Sequence, residues 1–462
     1  MTNSRRITEH ARVPAGRAER LAHIGWLAGR MALGGAAERA RRLGGLAPNP
    51  GHVLLTGANA RRLVDCLSSM RGAAMKLGQL LSLESDDLLP PEVTGILASL
   101  QDEGSAMPPA QLRRVLRENW GTSWESRFSE FDLDPIAAAS IGQVHAAQTS
   151  DGRELALKIQ YPGVARSIES DVDNLATALR LAKVLPGDVD FSPMIEEAKR
   201  QLRSEANYQT EASHLRRYAS LLEGEPDVRV PSVHDDFTTE SILAMDHLLG
   251  VPLEDLCGAE YTDQQRDRAA TLLLRLVLRE FFEFHFIQSD PNFANYLLLR
   301  DGRIGLIDLG AGYEASRTLC HRYSRMFHAA IEADRDALRS IAQEIGFITP
   351  SDEEAAAKAI LDLISLAMEP FRHAGPYDFG KSDLPARARG ASMSLVFEHS
   401  LWRPPPSETL FLQRKLGGTF LLCARLRARV DARALLENAL AATAEFTGSG
   451  QEPAQPSSDV NA

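Results

Sequence analysis

The tightest constraint on this chain is the order of three short segments that carry chemistry. First, "RELALKIQYPG" follows a turn signal at Asp151–Gly152 and alternates as a strand does. Leu155, Leu157 and Ile159 fall on one face, Ala156 and Lys158 on the other. Second, "SDPNFAN" sets Asp290 and Asn295 four residues apart in a turn-forming run. Third, "RIGLID" ends a strand pattern at Asp308, and Leu309–Gly310 follows. Singly these are a hairpin-edge lysine, a solvated turn and a strand running into a turn. Together they are a strand cation, a carboxylate–amide loop and a carboxylate with a free backbone behind it.

The surroundings agree with that order. Residues 1–104 read as helical, and a further helix starts behind Pro108–Pro109. Strand-like pieces follow, from "AAASIGQVHAAQT" through the Lys158 strand. Helical runs are expected from Val172 to about Leu185 and from Pro193 to Leu222, then strands in "VRVPSVHDDFTTESILAMDHLLGVPL". Beyond Tyr261 the chain is mostly helical, interrupted by the Asp290 loop and a hairpin at Arg300–Asp301–Gly302–Arg303. This predicts an α+β, bilobal, protein-kinase-like fold: a small β-rich lobe over 105–250 and a helical lobe over 251–446. A basic segment (1–45) and a helical extension (46–104) precede it, and a disordered tail (447–462) follows.

With 462 residues there is room for two lobes and an extension. A net charge of −11 argues against nucleic acid as a partner. Residues 1–45 are the exception, with nine Arg against three Glu. That segment can dock on the body, act as a transit peptide or lie on a membrane surface. No apolar run is long enough for a transmembrane span. Cys66, Cys257, Cys320 and Cys423 lie far apart, which fits reduced thiols and gives no metal-site signal.

In a kinase-like site a strand lysine takes the α- and β-phosphates of ATP and is held by a helix glutamate. Lys158 fits that part. Its glutamate is expected in "SEANYQTEASHL", where Glu205 and Glu211 are six apart and so on different faces of one helix, serving different partners. Asp290 can orient or deprotonate an attacking hydroxyl or water, and Asn295 and Asp308 can hold Mg²⁺. A further oddity is "MKLGQLLS": Met75, Leu77, Leu80 and Leu81 have helical spacing, yet Lys76, Gly78 and Gln79 interrupt the apolar pattern.

These segments, with "LQDEG", "AAASIGQVHAA", "EANYQTEA", "GLIDLGAG" and "FLQRKLGG", resemble the UbiB family of atypical kinases over residues 73–425, closest to its mitochondrial coenzyme-Q branch. The resemblance implies a nucleotide cover from Ala137, Ala138, Ala139, Ser140, Ile141, Gly142 and Gln143, with alanines where a protein kinase has glycines. It implies an adenine-contacting hinge at Met245–Asp246, and favours Glu211 as the partner of Lys158. It also implies that the Lys-x-Gly-Gln helix crosses the mouth of the site, with Lys76 and Gln79 facing Glu205 and Asp308. The family's Glu-x-Asp motif reads Glu205–Ala206–Asn207 here, and Leu309 replaces a phenylalanine. The expected function is an Mg-ATP-dependent atypical kinase or ATPase that supports ubiquinone biosynthesis, with quinone-precursor lipids or quinone-biosynthesis enzymes as partners. A cytoplasmic location is expected, peripheral on a membrane's inner face, or an organelle matrix in a eukaryote. A nucleotide-binding scaffold and a small-molecule kinase are the alternatives; a peptide-directed kinase stands last.

Overall fold

The computed structural model describes residues 106–139, 141–181, 192–398 and 406–448. Lys76, Gly78, Gln79 and Ser140, the basic segment, and the tail beyond 448 lie outside the described residues. The described chain falls into two compact units. One holds the residues up to Gly250 together with Leu299–Ala311; the other holds Val251–Leu298 and the chain from Gly312 onward.

The first unit is built on an antiparallel sheet of β1 (Phe128–Phe131), β2 (Ala137–Ala139), β3 (Gly142–Thr149), β4 (Glu154–Gln160) and β6 (Ile242–Asp246). The path runs β1-β3-β4-β6, and β2 also pairs with β3. Between β4 and β6 lies β5 (Val228–Arg229), outside this sheet. The β3–β4 hairpin turns at Gly152, whose φ of +87° is one that glycine adopts without strain. Strand β4 is buried on both faces beyond Glu154, and Lys158 sits opposite Val144 on one side and Leu243 on the other. Gly142 is required here for a reason of packing: a Cβ would collide with the Ile159 carbonyl on β4. Trp120, Trp124, Phe128, Phe131 and Phe237 pack edge-to-face and tilted against one another, fastening the Pro109–Trp120 helix to the unit.

Two helix boundaries differ from the sequence expectation. The first helix begins at Val164, not Val172, because Val164 N–H closes a turn onto Tyr161 just after Gly163. The run expected to be one helix from Pro193 to Leu222 is two, Ser192–Glu205 and Tyr208–Leu221. Asn207 makes the break: it is extended (φ −117°) and its side chain accepts from Gln209 N–H at 3.0 Å, an N-cap. Residues Leu299–Ala311 join this unit because the strand Ile304–Leu306 pairs in parallel with β5.

The second unit is helical. Its long helix, Asp263–Phe282, starts in a capping box between Thr262 and Gln265 and buries Leu273, Leu274, Val277 and Phe281. Phe281, Phe282, Tyr323, Phe327 and Phe371 interlock edge-to-face in the core. A short strand, Gly312–Glu314, pairs back on Phe286–Gln288, and Ser316 then caps the helix Arg317–Ile331. The last helix, Ala432–Gly448, runs two residues into the segment expected to be a disordered tail. A strand-rich unit and a helical unit make up the α+β class read from the sequence.

Candidate functional site

In the first unit Lys158 leaves the centre of the sheet and meets two carboxylates. Its ammonium donates to Glu211 Oε1 and Oε2 at 2.7 and 3.0 Å and to Asp308 Oδ2 at 2.8 Å. Glu211 is presented by the helix face that also buries Tyr208, Ala212, Leu215 and Tyr218. Asp308 sits where the Ile304–Leu306 strand ends; its other oxygen accepts the Gly310 N–H at 3.0 Å. His214 Nδ1 donates to the Leu309 carbonyl at 2.9 Å, and the Leu309 side chain is wholly buried, so the Asp308–Gly310 turn is held from both sides.

Burial works against the Lys158 ammonium, but Asp308 and Glu211 outweigh it and hold the lysine well above its usual pKa. Glu211 is enclosed, and burial pushes its pKa up, to about 7, against the pull of Lys158. Glu205 adds a third acidic group. A Cβ at Gly310 would lie 3.4 Å from Asp308 Oδ1, 3.5 Å from Glu205 Cγ and 3.7 Å from Glu211 Oε2. The sequence expectation that Glu205 and Glu211 point to different faces of one helix is therefore replaced. The chain breaks between them at Asn207, and both come to Gly310.

The expected nucleotide cover is divided. Ala137 and Ala138 are exposed on β2, whereas Ile141, Gly142 and Gln143 are buried. Gln143 is committed to bracing: its Oε1 accepts Met107 N–H at 2.8 Å and its Nε2 lies 2.7 Å from His145 Nε2. His145 Nδ1 then donates to the Asp132 carbonyl at 2.8 Å. At the expected hinge, Met245 is buried opposite Ala156. Asp246 has turned its carboxylate onto Ser232 N–H (3.0 Å) and His234 Nε2 (2.9 Å). The side chains of Gln143 and Asp246 thus brace the sheet and its neighbouring turns.

In the second unit the Asp290 loop is drawn tight. Asn292 caps the short turn Phe293–Asn295, and Asn295 Nδ2 donates to the Asp290 carbonyl at 2.8 Å. That bond spends the amide nitrogen inside the loop and turns the amide oxygen away from it. The helix Ser407–Arg425 braces the loop from behind. Arg414 Nη2 donates to Asp290 Oδ1 at 3.2 Å. Lys415 Nζ donates to Gln288 Oε1 at 2.9 Å and Tyr296 OH at 3.1 Å, with Glu280 Oε2 at 3.5 Å. Gly418 packs so closely on Pro291 that a Cβ would overlap its ring. Sequence reasoning quoted "FLQRKLGG" but gave it no role. The segment places an Arg–Lys pair and two adjacent glycines mid-helix, a pattern that does not by itself say what they touch.

The ABC1 atypical kinase-like domain model matches residues 99–342. The chain belongs to the ABC1, or UbiB, family of atypical kinases. It is 37% identical over 431 residues to the mitochondrial atypical kinase COQ8B of Rattus norvegicus, covering 92% of this chain and 81% of that one. Against the mitochondrial COQ8 of Saccharomyces cerevisiae the figures are 34% over 433 residues, 93% and 86%. Against that of Schizosaccharomyces pombe they are 36% over 438, 94% and 71%. A solved structure, the complex of Rv3197 with erythromycin from Mycobacterium tuberculosis, is similar at a TM-score of 0.57 and 26% identity, over 82% of this chain and 95% of that one.

Membership of the ABC1 family makes this a kinase-like protein and implies ATP use with a divalent metal in general. Each unit carries a side chain of suitable chemistry: Asp308 in the first and Asn295 in the second have hard oxygen donors of the kind Mg²⁺ prefers. Among the described residues no group of three or more His, Cys, Asp or Glu makes a dedicated metal cage. Phosphate oxygens completing the shell of a Mg²⁺ held by one or two protein donors is the usual pattern. No helix among the described residues is long and apolar enough to cross a membrane.

Proposed function

We propose that the protein is an atypical kinase or ATPase that binds Mg-ATP, passes the phosphoryl group to water or a small molecule, and supports ubiquinone biosynthesis. The observation that carries the reading is the enclosed Lys158, held charged by Glu211 and Asp308. In this reading Lys158 takes the phosphates and Glu211 holds it. Asp308 and Asn295 supply oxygen donors to Mg²⁺, Asp290 orients or deprotonates the acceptor, and the backbone from Ala137 to Gly142 covers the nucleotide. The quinone link rests on the likeness to the UbiB family and its COQ8 members. The relatives' mitochondrial location suggests an organelle matrix or a membrane's inner face, reached through the basic segment.

A peptide acceptor is disfavoured by length. Only residues 311–316 separate Gly310 from the Arg317 helix, and three of them are strand, so there is no span for a peptide-docking segment. The test is Mg²⁺-dependent ATP turnover by the purified full chain, with and without membranes and quinone precursors. Asp290→Asn is expected to lower it about 100-fold or more. No turnover in any of these conditions overturns the enzymatic reading.

A second reading, a nucleotide-binding scaffold, is favoured by the Arg414–Asp290 pair, since the guanidinium occupies one of the two carboxylate oxygens an acceptor would have to reach. It keeps Lys158 and Asp308 but tolerates loss of Asp290. Complementation of a quinone-deficient strain by Asp290→Asn selects it.

A further inference from the structure

One buried donor beside Lys158 has no use in the arrangement described so far. Tyr208 opens the Tyr208–Leu221 helix with its side chain 1% exposed. Its backbone N–H donates to the Glu240 carbonyl at 3.0 Å, which fixes where the ring enters. The ring centroid lies 5.6 Å from Lys158 Nζ. The phenol oxygen is enclosed and has no hydrogen-bond partner among the described residues. Burial, more than the charges of Lys158, Glu211, Asp308 and Glu205 around it, raises the phenol far above its ordinary pKa. The hydroxyl is therefore a donor at any working pH, and unspent among the described residues. A phenylalanine of the same shape would avoid the cost of burying it.

Counting donors and acceptors shows what it is for. An ammonium has three N–H groups, and Lys158 spends all three, two on Glu211 and one on Asp308. Nothing is left for a phosphate. Loading a nucleotide must break some of these bonds. Asp308, with its side chain 37% exposed, is the member whose bond to Lys158 water can replace. A lysine that turns toward phosphate and keeps one Glu211 oxygen leaves the other oxygen enclosed without a donor. Glu211 has 2% side-chain exposure, so water does not replace the lost bond.

We propose that Tyr208 is a positioning residue of the loaded site: its hydroxyl donates to Glu211 once Lys158 has turned from Asp308 to the nucleotide phosphates. This rests on the reading of the site as one for Mg-ATP. The orphan hydroxyl is then a bond held in reserve. Its cost falls on the unloaded protein and is recovered on loading, which favours the loaded state.

The test separates binding from stability with Tyr208→Phe in the full chain. Titration calorimetry with Mg²⁺ and a non-hydrolysable ATP analogue is expected to give a Kd about tenfold weaker than wild type, the value of one hydrogen bond to a charged group. Urea unfolding without nucleotide is expected to give a midpoint equal to or above wild type. A merely structural tyrosine would do the reverse. Unchanged affinity overturns the inference, and so does a lower urea midpoint, because the hydroxyl would then already be bonded. A second measurement needs no variant in the loaded sample: the ¹³Cζ resonance of Tyr208 should move when Mg-nucleotide is added to wild type, and a resonance that stays put overturns the inference. If wild type binds and Tyr208→Phe binds as well, only this inference falls. If wild type does not bind at all, the reading of the site falls and takes the inference with it.

Discussion

Lys158 in the strand-rich unit and Lys415 in the helical unit are both enclosed ammoniums, and each has a glutamate partner and a tyrosine ring within 6 Å. They differ in what surrounds the pair. Lys415 and Glu280 are both fully sealed, and Tyr296 and Gln288 complete the lysine's bonds. Lys158 has one sealed partner, Glu211, and one that reaches solvent, Asp308, and the hydroxyl of the tyrosine beside it has no hydrogen-bond partner among the described residues. A buried charge by itself is therefore no mark of a site. The mark is a buried charge with an exchangeable partner and an unspent donor nearby. The sealed lysine bonds to the residues flanking the Asp290 loop, and the open one has a partner in contact with solvent.

The largest expected effect breaks the comparison directly. Lys415→Met removes the ammonium beside Glu280 in a sealed interior and should cost about 3–5 kcal/mol in urea unfolding. Lys158→Met should cost clearly less, because Asp308 meets water and Glu211, already pushed up to about 7, can take a proton. It should instead remove Mg-nucleotide binding in calorimetry. Equal stability losses would erase the distinction between sealed and open.

A middle-sized effect sharpens what the sealed side does. Arg414→Met releases Asp290 on one side without touching Lys158. Turnover should fall roughly 10- to 100-fold through kcat, since small misplacements of a reacting group are costly. Nucleotide affinity should hold. A loss confined to affinity would mean that the helix brace serves binding instead.

The smallest effect tests a sealed network in the strand-rich unit. Gln143 directs its oxygen to Met107 N–H and so its NH₂ to His145 Nε2, which must accept; the ring is neutral and protonated at Nδ1. Burial lowers the His145 pKa, against the pull of Asp132 and Asp134. Below the ordinary histidine value of about 6.5 the unfolded chain binds the extra proton more readily than the folded one. This contribution to stability is therefore complete above about pH 6.5 and is lost as pH falls below it. Urea midpoints should decline across that window in wild type, and the decline should be shallower in His145→Phe. The same slope in both would assign the pH dependence elsewhere.

What the sequence disclosed and what it hid follow one physical line. Lys158 and Asp308 were legible because strand alternation and strand ends are local patterns. Glu211 was narrowed to one of two, but the helix break at Asn207 was missed, although a capping asparagine two residues before Gln209 is itself a local signal. Gly142 was legible only as one member of an expected nucleotide cover; that a Cβ there would meet the Ile159 carbonyl of the neighbouring strand depends on strand pairing. Arg414, Lys415 and Tyr208 were invisible as site residues. A lysine or tyrosine in an amphipathic helix looks the same whether it is sealed, paired or waiting, and only long-range packing tells which. Asp246 shows the converse, a carboxylate in a plausible place whose bonds go to residues 229–234.

The short link after Gly310 has a consequence for control. Proteins switched by covalent marking of a loop need a stretch long enough to order and disorder. Here the six residues 311–316 include a three-residue strand already bonded to Phe286–Gln288, and the seventh begins a capped helix. A phosphate added there would find no slack to take up. Control by covalent marking therefore has no purchase in that stretch, whose six residues are already committed to a strand and a helix cap.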